Sequence, residues 1–343
     1  MRIGLAYDLK PDALPAGSPD DAHEEFDSEA TVAALCDALE RLGHRVTRLG
    51  DGRELLQKLL AEPVDLVFNF AEGTGTARSR EARVPAVCEL LGVPHTGSDP
   101  LALAVALEKD LTRRLAADAG VVVPNGIVLR PPPAPYDGDF AEFPAVLESA
   151  GLTVPVIAKP VFEGSSKGIR SRCLVERLEE FGPTVAELWA NYGQPVLVEE
   201  FVAGDEVTVG LLGNDPPEVF GLMTITPKTP DERFVYSLEV KRDFENLVDY
   251  ECPARLPPGV TQEVVASALA VWDALGLRDV ARLDFRIRDG VPYFLEVNPL
   301  PGLNPLGSDL VIMGGLLGVG YEEVVGKIVA AAAARYGLPT TQR

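Results

Sequence analysis

Positive charge is scarce in this 343-residue sequence: 31 Lys plus Arg stand against 52 Asp plus Glu, a formal charge of −21. That balance argues against non-specific binding to nucleic acid or to anionic membranes, both of which need a positive surface, and an anionic ligand would require a local basic pocket. Histidine is limited to His23, His44 and His95. None has zinc-like neighbours or an obvious Ser or Cys partner, so all three are expected to be structural or surface residues. The four cysteines, Cys36, Cys88, Cys173 and Cys252, are too scattered for a metal motif or a disulfide framework and read as buried thiols in a reducing compartment. No charged-then-apolar leader opens the sequence, and no apolar run reaches the roughly 18 residues of a membrane span. A cytoplasmic location is the expectation. No G-x-G-x-x-G follows the first strand pattern, and there is no internal repeat or long disordered tract.

What is present is an ordinary globular composition, 46% apolar and 24% charged, with length enough for two or three domains. The first hundred residues alternate short apolar strands ("RIGLAYD", "HRVTRL", "VDLVFNF") with amphipathic helices, the first of them capped by Asp27 or Ser28. This order implies a parallel sheet covered by helices. "LALAVALEKDLTRRLAADAG" reads as one helix closed by Gly120, "RPPPAPYDGDF" as a surface connection, and "AEFPAVLESAG" as helical. From "PVIAKP" onward strands predominate, with long helices at "VTQEVVASALAVWDALG" and "YEEVVGKIVAAAAARYG".

The most informative stretch is "RLDFRIRDGVPYFLEVNPLPG", residues 282 to 302, whose apolar and polar residues alternate on both sides of a turn. Leu283, Phe285, Ile287, Tyr293, Leu295 and Val297 are all odd-numbered. A two-residue Asp289-Gly290 turn would send the two apolar sets to opposite faces, whereas a three-residue loop with glycine at its bulge puts them together and is the expected form. That loop pairs residue 288 with 292, placing Asp284 opposite Glu296 and Arg282 opposite Asn298. Facing carboxylates repel unless a positive group lies between them, and Asp, Glu and Asn oxygens suit Mg²⁺. The plain alternative is a solvated, charged hairpin face.

In "PVIAKPVFEGSSKGI" a strand carrying Lys159 enters a loop with Gly164, Ser165, Ser166 and Gly168. Its small residues let backbone N–H groups converge on a phosphate, though the spacing is not that of a Walker loop, and a simple hairpin turn is the alternative. In "VLVEEFVAGDEVTVGLL" two strands flank Glu199, Glu200, Phe201 and Val202, with Glu206 following. Backbone groups of such a segment can bond a purine edge and a carboxylate can hold ribose hydroxyls, while a mere strand connection is the alternative.

This order of motifs resembles the ATP-grasp superfamily, and within it the D-alanine–D-alanine ligase family, from "RIGLAYD" to "YEEVVGKIV". Its most specific pieces are "KPVFEGSSKGI", "VEEFVAGDEVTV", "CPARL", "ARLDF" and "LEVNPLPGLNP". The resemblance implies a mixed α/β and α+β fold in three parts: a Rossmann-like domain over residues 1–98, a central ATP-grasp subdomain over 99–200 and a C-terminal one over 201–343, the last two clasping ATP between their sheets. It also implies an ATP-dependent carboxylate–amine ligase that uses Mg²⁺ or Mn²⁺ and small amino-acid-like substrates, in a family where homodimers are common.

Carried over by position, Lys109 and Lys159 resemble the nucleotide-phosphate lysines, with Glu199 and Glu206 at adenine and ribose. Glu163 to Gly168 would cover the phosphates, with Ser165 helping to position substrate. Lys241 would face the γ-phosphate, and Asp284, Glu296 and Asn298 would hold the metal. Arg282 and the Gly302 N–H would stabilise an oxyanion, and Ser308 would hold the acceptor carboxylate. Departures gather at the substrate end. In the altered N-terminal loop Glu24 or Glu25 is the candidate for a donor-amine carboxylate, and Arg242 replaces a tyrosine and is expected to face a substrate acid or a loop carboxylate. Glu72-Gly73 replaces His-Gly, and Asp309 replaces an apolar residue. Two other readings stay open, a genuine D-alanine–D-alanine ligase and a non-catalytic nucleotide binder. The intact set of Lys159, Lys241, Arg282, Asp284, Glu296 and Asn298 opposes the second, since a binder needs no oxyanion donor.

Overall fold

A computed structural model describes residues 1–14, 17–133, 140 and 142–339, so most of the Pro-rich connection before residue 140 lies outside the described residues. The first sheet has three parallel strands in the order β2-β1-β3: β1 (Arg2–Tyr7), β2 (Arg45–Gly50) and β3 (Leu66–Phe70), linked by α1 (Glu29–Arg41) and α2 (Gly52–Ala61) and followed by α3 (Arg83–Leu91). Ser28 caps α1, its hydroxyl accepting from the Thr31 N–H at 3.1 Å. Leu55 and Leu59 of α2 and Val84 and Cys88 of α3 pack with Ala6 and Val67.

The single helix expected over residues 101–120 is two, α4 (Pro100–Leu107) and α5 (Lys109–Asp118). Glu108 leaves helical geometry at φ −91°, ψ 94°, and its carboxylate caps α5 by accepting from the Leu111 N–H at 2.8 Å. Thr112 Oγ1 donates to the Val105 carbonyl at 2.7 Å, beside the Glu108 N–H that also reaches it at 3.0 Å. Periodicity could not show this, because the apolar spacing continues through the break. Its consequence is that Lys109 opens α5 as a buried side chain.

The second sheet, β4-β7-β5-β6, joins β4 (Gly126–Leu129), β5 (Val156–Pro160), β6 (Leu174–Val175) and β7 (Val196–Glu200), all antiparallel, with α6 (Phe143–Ser149) and α7 (Leu178–Tyr192) packed against it. The third, β10-β9-β8-β11-β12, is formed by β8 (Asp205–Gly213), β9 (Glu218–Pro227), β10 (Val248–Glu251), β11 (Asp279–Arg288) and β12 (Val291–Asn298). The short helices α8 (Leu238–Arg242) and α9 (Phe244–Leu247) precede β10, and α10 (Pro258–Leu275), α11 (Asp309–Leu316) and α12 (Tyr321–Tyr336) complete the chain. Side chains alternate across this sheet. Val207, Val209, Leu211, Leu283, Phe285 and Ile287 point to α10, α4 and α5, which leaves Glu206, Thr208, Arg282, Asp284 and Arg286 on the opposite face. Helices α11 and α12 return to cover the first sheet, so that Met313, Val324 and Ile328 share a core with Ile3, Leu5 and Leu35. Among the described residues no helix is long and apolar enough to cross a membrane.

The β11–β12 turn corrects the expected one. Arg288 pairs with Val291, so the loop is the two-residue Asp289-Gly290, at φ 53° and 78°, the left-handed geometry that Asp-Gly favours. The odd residue sits further along as a bulge: Phe285 pairs with Phe294, but Asp284 pairs with Glu296 and Arg282 with Asn298. Phe294 therefore enters the core against Phe285, ring centroids 5.7 Å apart, and Leu295 turns to the other face.

Asp279, fully buried and at φ 66°, ties three segments together. Its carboxylate accepts from Arg335 of α12 at 2.7 Å, the Gly97 N–H at 2.8 Å and Asn214 at 2.9 Å. Asp279→Ala is expected to lower stability by about 3–5 kcal/mol in urea unfolding, because it leaves the Arg335 charge unpaired. A second stability test concerns pH. Burial, helped by the charge of Asp8, pushes the Asp27 carboxyl up to about 7. The folded chain thus holds a proton that the unfolded chain has released above about pH 4, and stability from this group falls as pH rises from there through 7. Asp27→Asn should raise the melting temperature at pH 8 with little change near pH 4.

Candidate functional site

Two adjoining cavities lie between the second and third sheets. The first is mainly apolar in shape, with Pro124, Ile157, Ile169, Phe201, Val202, Val235 and Leu295 on its walls; Lys159, Glu199, Glu200, Glu206, Asp284 and Glu296 also border it. The second is polar and holds Lys109, Glu163, Gly164, Ser165, Arg282, Asn298, Gly302 and Ser308. Tyr236 and Lys241 border both. Lys241 lies over the Tyr236 ring, 5.0 Å from its centroid, and makes no ion pair among the described residues.

Strand pairing builds the acidic centre. Asp284 accepts from Thr208 Oγ1 at 2.9 Å, Arg282 Nη2 at 2.9 Å and Asn298 Nδ2 at 3.3 Å. Glu296 faces Lys109 Nζ at 3.1 Å. Burial pushes the Glu296 carboxyl up, but Lys109, Lys241, Lys159 and Arg282 outweigh it and hold it well below the usual carboxylate range. Asp284 is raised by burial and by Glu296, against the pull of Arg282. The guanidinium of Arg282 bridges two acids, since Nη1 also meets Asp309 at 3.0 Å. Two carboxylates and an amide oxygen one strand apart match the oxygen donors that a small divalent cation prefers, with Asn298 presenting Oδ1 in place of the amide N–H it now turns to Asp284.

At the mainly apolar pocket Lys159 pairs with Glu199 at 2.6 Å. Glu206 pairs with Arg286 at 2.6 Å, and Arg286 in turn lies beside the Phe201 and Phe234 rings and donates to the Phe234 carbonyl. Glu200 is held by Arg288 at 3.0 Å.

The Gly-Ser loop takes left-handed backbone at Ser165, Ser166 and Gly168. The N–H groups of Gly164 and Gly168, expected to meet a phosphate, are engaged by Glu25 at 2.5 Å and Asp21 at 2.9 Å. Here the carboxylates of the N-terminal loop occupy positions in which a phosphate oxygen would accept. Glu25, one of the two candidates for the donor-amine carboxylate, is also held by the fully buried Arg80 at 2.5 Å and is not among the residues lining either cavity. Glu24 and Arg242 stand outside the cavities as well. Arg242 pairs with Glu24 at 2.7 Å and with Asp20 at 2.9 Å, facing loop carboxylates and no substrate space.

Sequence reasoning missed Tyr236, Arg286, Arg80 and Asp21. Arg286 shares the alternation of Arg282 and Asp284 and could have been read from it, whereas Arg80 sits in a polar stretch that gives no sign of burial. Glu72 and Asp309, noted only as departures, both line the polar cleft.

The family model for the D-Ala–D-Ala ligase C-terminus matches residues 115–330, more than half of the chain. The chain belongs to the D-alanine–D-alanine ligase family. A D-alanine–D-alanine ligase of Desulforudis audaxviator is 34% identical over 79% of this chain and 82% of its own. The uncharacterized protein y4sG of Sinorhizobium fredii is 30% identical over 98% of this chain and 93% of its own. The solved D-alanine–D-alanine ligase of Bacillus anthracis complexed with ATP superposes with a TM-score of 0.71 over 98% of each chain at 19% identity. The fold of this D-alanine–D-alanine ligase family member is thus the ATP-grasp fold, and the chain is an ATP-dependent ligase of the class that forms C–N bonds.

Gly302 offers a direct test of the cleft geometry. Its N–H has no acceptor among the described residues, and an added Cβ would lie 2.7 Å from Ser308 Oγ. Gly302→Ala is expected to destabilise the protein by about 1–3 kcal/mol through this overlap. Adding Ser308→Ala, whose Cβ stays 3.5 Å away, should restore most of the loss in a double-mutant cycle of urea unfolding.

Proposed function

We propose that the protein phosphorylates the carboxylate of one amino-acid-like substrate with ATP and passes the resulting acyl group to the amine of a second, forming a peptide bond. The observation that carries this reading is Lys241, a cation without an ion-pair partner among the described residues, at the junction of the mainly apolar pocket and the polar cleft. A phosphoryl group crossing between the two would pass it.

Adenine would sit against Phe201, Val202 and Leu295, with Glu206 toward the ribose and Lys159 and Lys109 toward the phosphates. Asp284, Glu296 and Asn298 would hold Mg²⁺ or Mn²⁺, and the bound ion would neutralise triphosphate charge. The carboxylate oxygen attacks the γ-phosphorus and ADP leaves, with Lys241 countering the charge in transfer. The amine then attacks the acyl carbon, phosphate leaves and the nitrogen gives up a proton. Charge gathers on the carbonyl oxygen, where the Arg282 guanidinium and the free Gly302 N–H can donate to it. Asp284 and Asp309 hold Arg282 on two sides, so the donor is oriented before the reaction begins. Ser308, which precedes α11 and lines the polar cleft, would bind the acceptor carboxylate. Three domains (1–98, 99–200 and 201–343), a cytoplasmic setting and the homodimer that the resemblance suggests accompany this activity.

ADP and phosphate release across a panel of amino acids tests the reading. Turnover with D-alanine alone would make this an authentic cell-wall-type enzyme; no amino-acid-dependent turnover with any pair would make it a nucleotide binder and overturn the proposal. Arg282→Lys is expected to lower kcat about 10²–10³-fold with a nearly unchanged KM for ATP, since it removes one oriented donor. Asp284→Asn should raise the concentration of Mg²⁺ needed for half-maximal turnover, and removing divalent ions with a chelator should abolish ADP release.

A further inference from the structure

Four carboxylates line the polar cleft: Glu72, Glu81, Glu163 and Asp309. Two of them are neutralised by the protein. Asp309 receives Arg282 Nη1 at 3.0 Å and the Tyr236 hydroxyl at 3.1 Å. Glu163 receives Lys167 Nζ at 2.8 Å, Gln194 Nε2 at 2.7 Å and Arg80 Nη2 at 3.2 Å.

Glu72 and Glu81 are different. They lie on the segment between β3 and α3, close enough to hydrogen-bond one another. Among the described residues no Lys, Arg or backbone N–H reaches either side chain within ion-pair or hydrogen-bond distance. Glu81 is nevertheless only 6% exposed, and a buried carboxylate without a cation is strongly disfavoured. The charged groups around the pair are already committed. Arg80 serves Glu25 and Glu163, and Lys109 serves Glu296 and the Glu163 carbonyl. The source of positive charge left to the pair is the ligand.

An ordinary amino acid brings one ammonium, and its carboxylate is directed to Arg282 and the phosphates. Ionising both glutamates takes two positive charges. We infer that Glu72 and Glu81 form a cation-binding subsite that selects, as one of the two substrates, an amino acid carrying a second positive nitrogen, a side-chain ammonium or guanidinium. The inference rests on the ligase reading and names its substrate class. Burial pushes Glu81 up to about 8, with Arg80 and Lys109 opposing and Glu25 adding to the rise. Burial and then Glu81 hold Glu72 well above the carboxylate range. A neutral side chain gains nothing from the pair.

The test is calorimetric binding at neutral pH, with ADP and Mg²⁺ present, of ornithine, arginine and their uncharged counterparts norvaline and citrulline, in both stereochemical series, alongside ADP release with the same compounds. The wild type should bind ornithine or arginine at least about tenfold more tightly than the matching neutral compound, as one buried charge pair provides. Whichever cation wins distinguishes ammonium from guanidinium. Glu72→Gln with Glu81→Gln should weaken only the cationic ligands, with ADP binding as the control for folding. Equal affinity for charged and neutral compounds, no binding of any of them, or an equal loss for all four in the double variant would overturn the subsite. The ligase reading fails separately: cation-selective binding without ADP release with any pair would remove the ligase and leave the subsite, whereas ADP release with alanine as fast as with ornithine would do the reverse.

Discussion

Asp284 and Glu296 face one another on adjacent strands, mostly out of water, and two negative charges in that arrangement are stable only while cations surround them. Arg282 and Lys109 supply that charge from within the protein, and each is placed by a separate local feature. Arg282 shares the polar face of β11 through the period of two. Lys109 reaches Glu296 only because Glu108 breaks the helix and starts a new one beside β12. The bulge at Leu295 is the third feature: without it the acid on β12 would pair out of step with Asp284. A pocket able to attract triphosphate thus arises in a chain of net charge −21, because Lys109, Lys159, Lys241, Arg282 and Arg286 gather at the two cavities.

The same economy of cations explains the N-terminal loop. Asp21 and Glu25 accept from the backbone of the Gly-Ser loop, and Asp20 and Glu24 accept from Arg242. Carboxylates from the first hundred residues thereby hold the two segments that border the cavities, and phosphate would compete with them for the same N–H groups. Gly168 fits this turn because its φ of 76° and its closeness to the Pro160 ring leave no room for a side chain. Asp309 belongs to the same pattern, since it fixes Arg282 and Tyr236 where an apolar residue would leave the guanidinium with one acid in place of two.

Much of this architecture was legible in the sequence. Apolar patterning placed the strands of the first sheet, β5, β7, β8, β11 and β12 and the helices α1, α2, α10 and α12, but gave no sign of α7 or β9, and the order of the lysine strand, the Gly-Ser loop, the Glu-rich linker and the Asp and Glu strands pointed to ATP-grasp chemistry. Residue types that bind phosphate or a divalent ion announce themselves along a strand, because alternation alone decides which face they share. The register of Asp284 with Glu296 was also reached, though through a three-residue loop that the chain does not have.

Only the tertiary structure decided where the extra residue of that hairpin lies, since Asp-Gly closes either kind of turn and Phe294 enters the core only when Phe285 is there to meet it. Only it decided that Glu25 is taken by Arg80, that Arg242 faces loop acids, and that Glu72 and Glu81 meet without a cation. Each of these depends on which distant charges are already paired, and the energy of a charge is set by neighbours that no local pattern reveals. The sequence by itself determined the elements and the kind of chemistry; the packing of three sheets determined which acids and bases remain free to perform it.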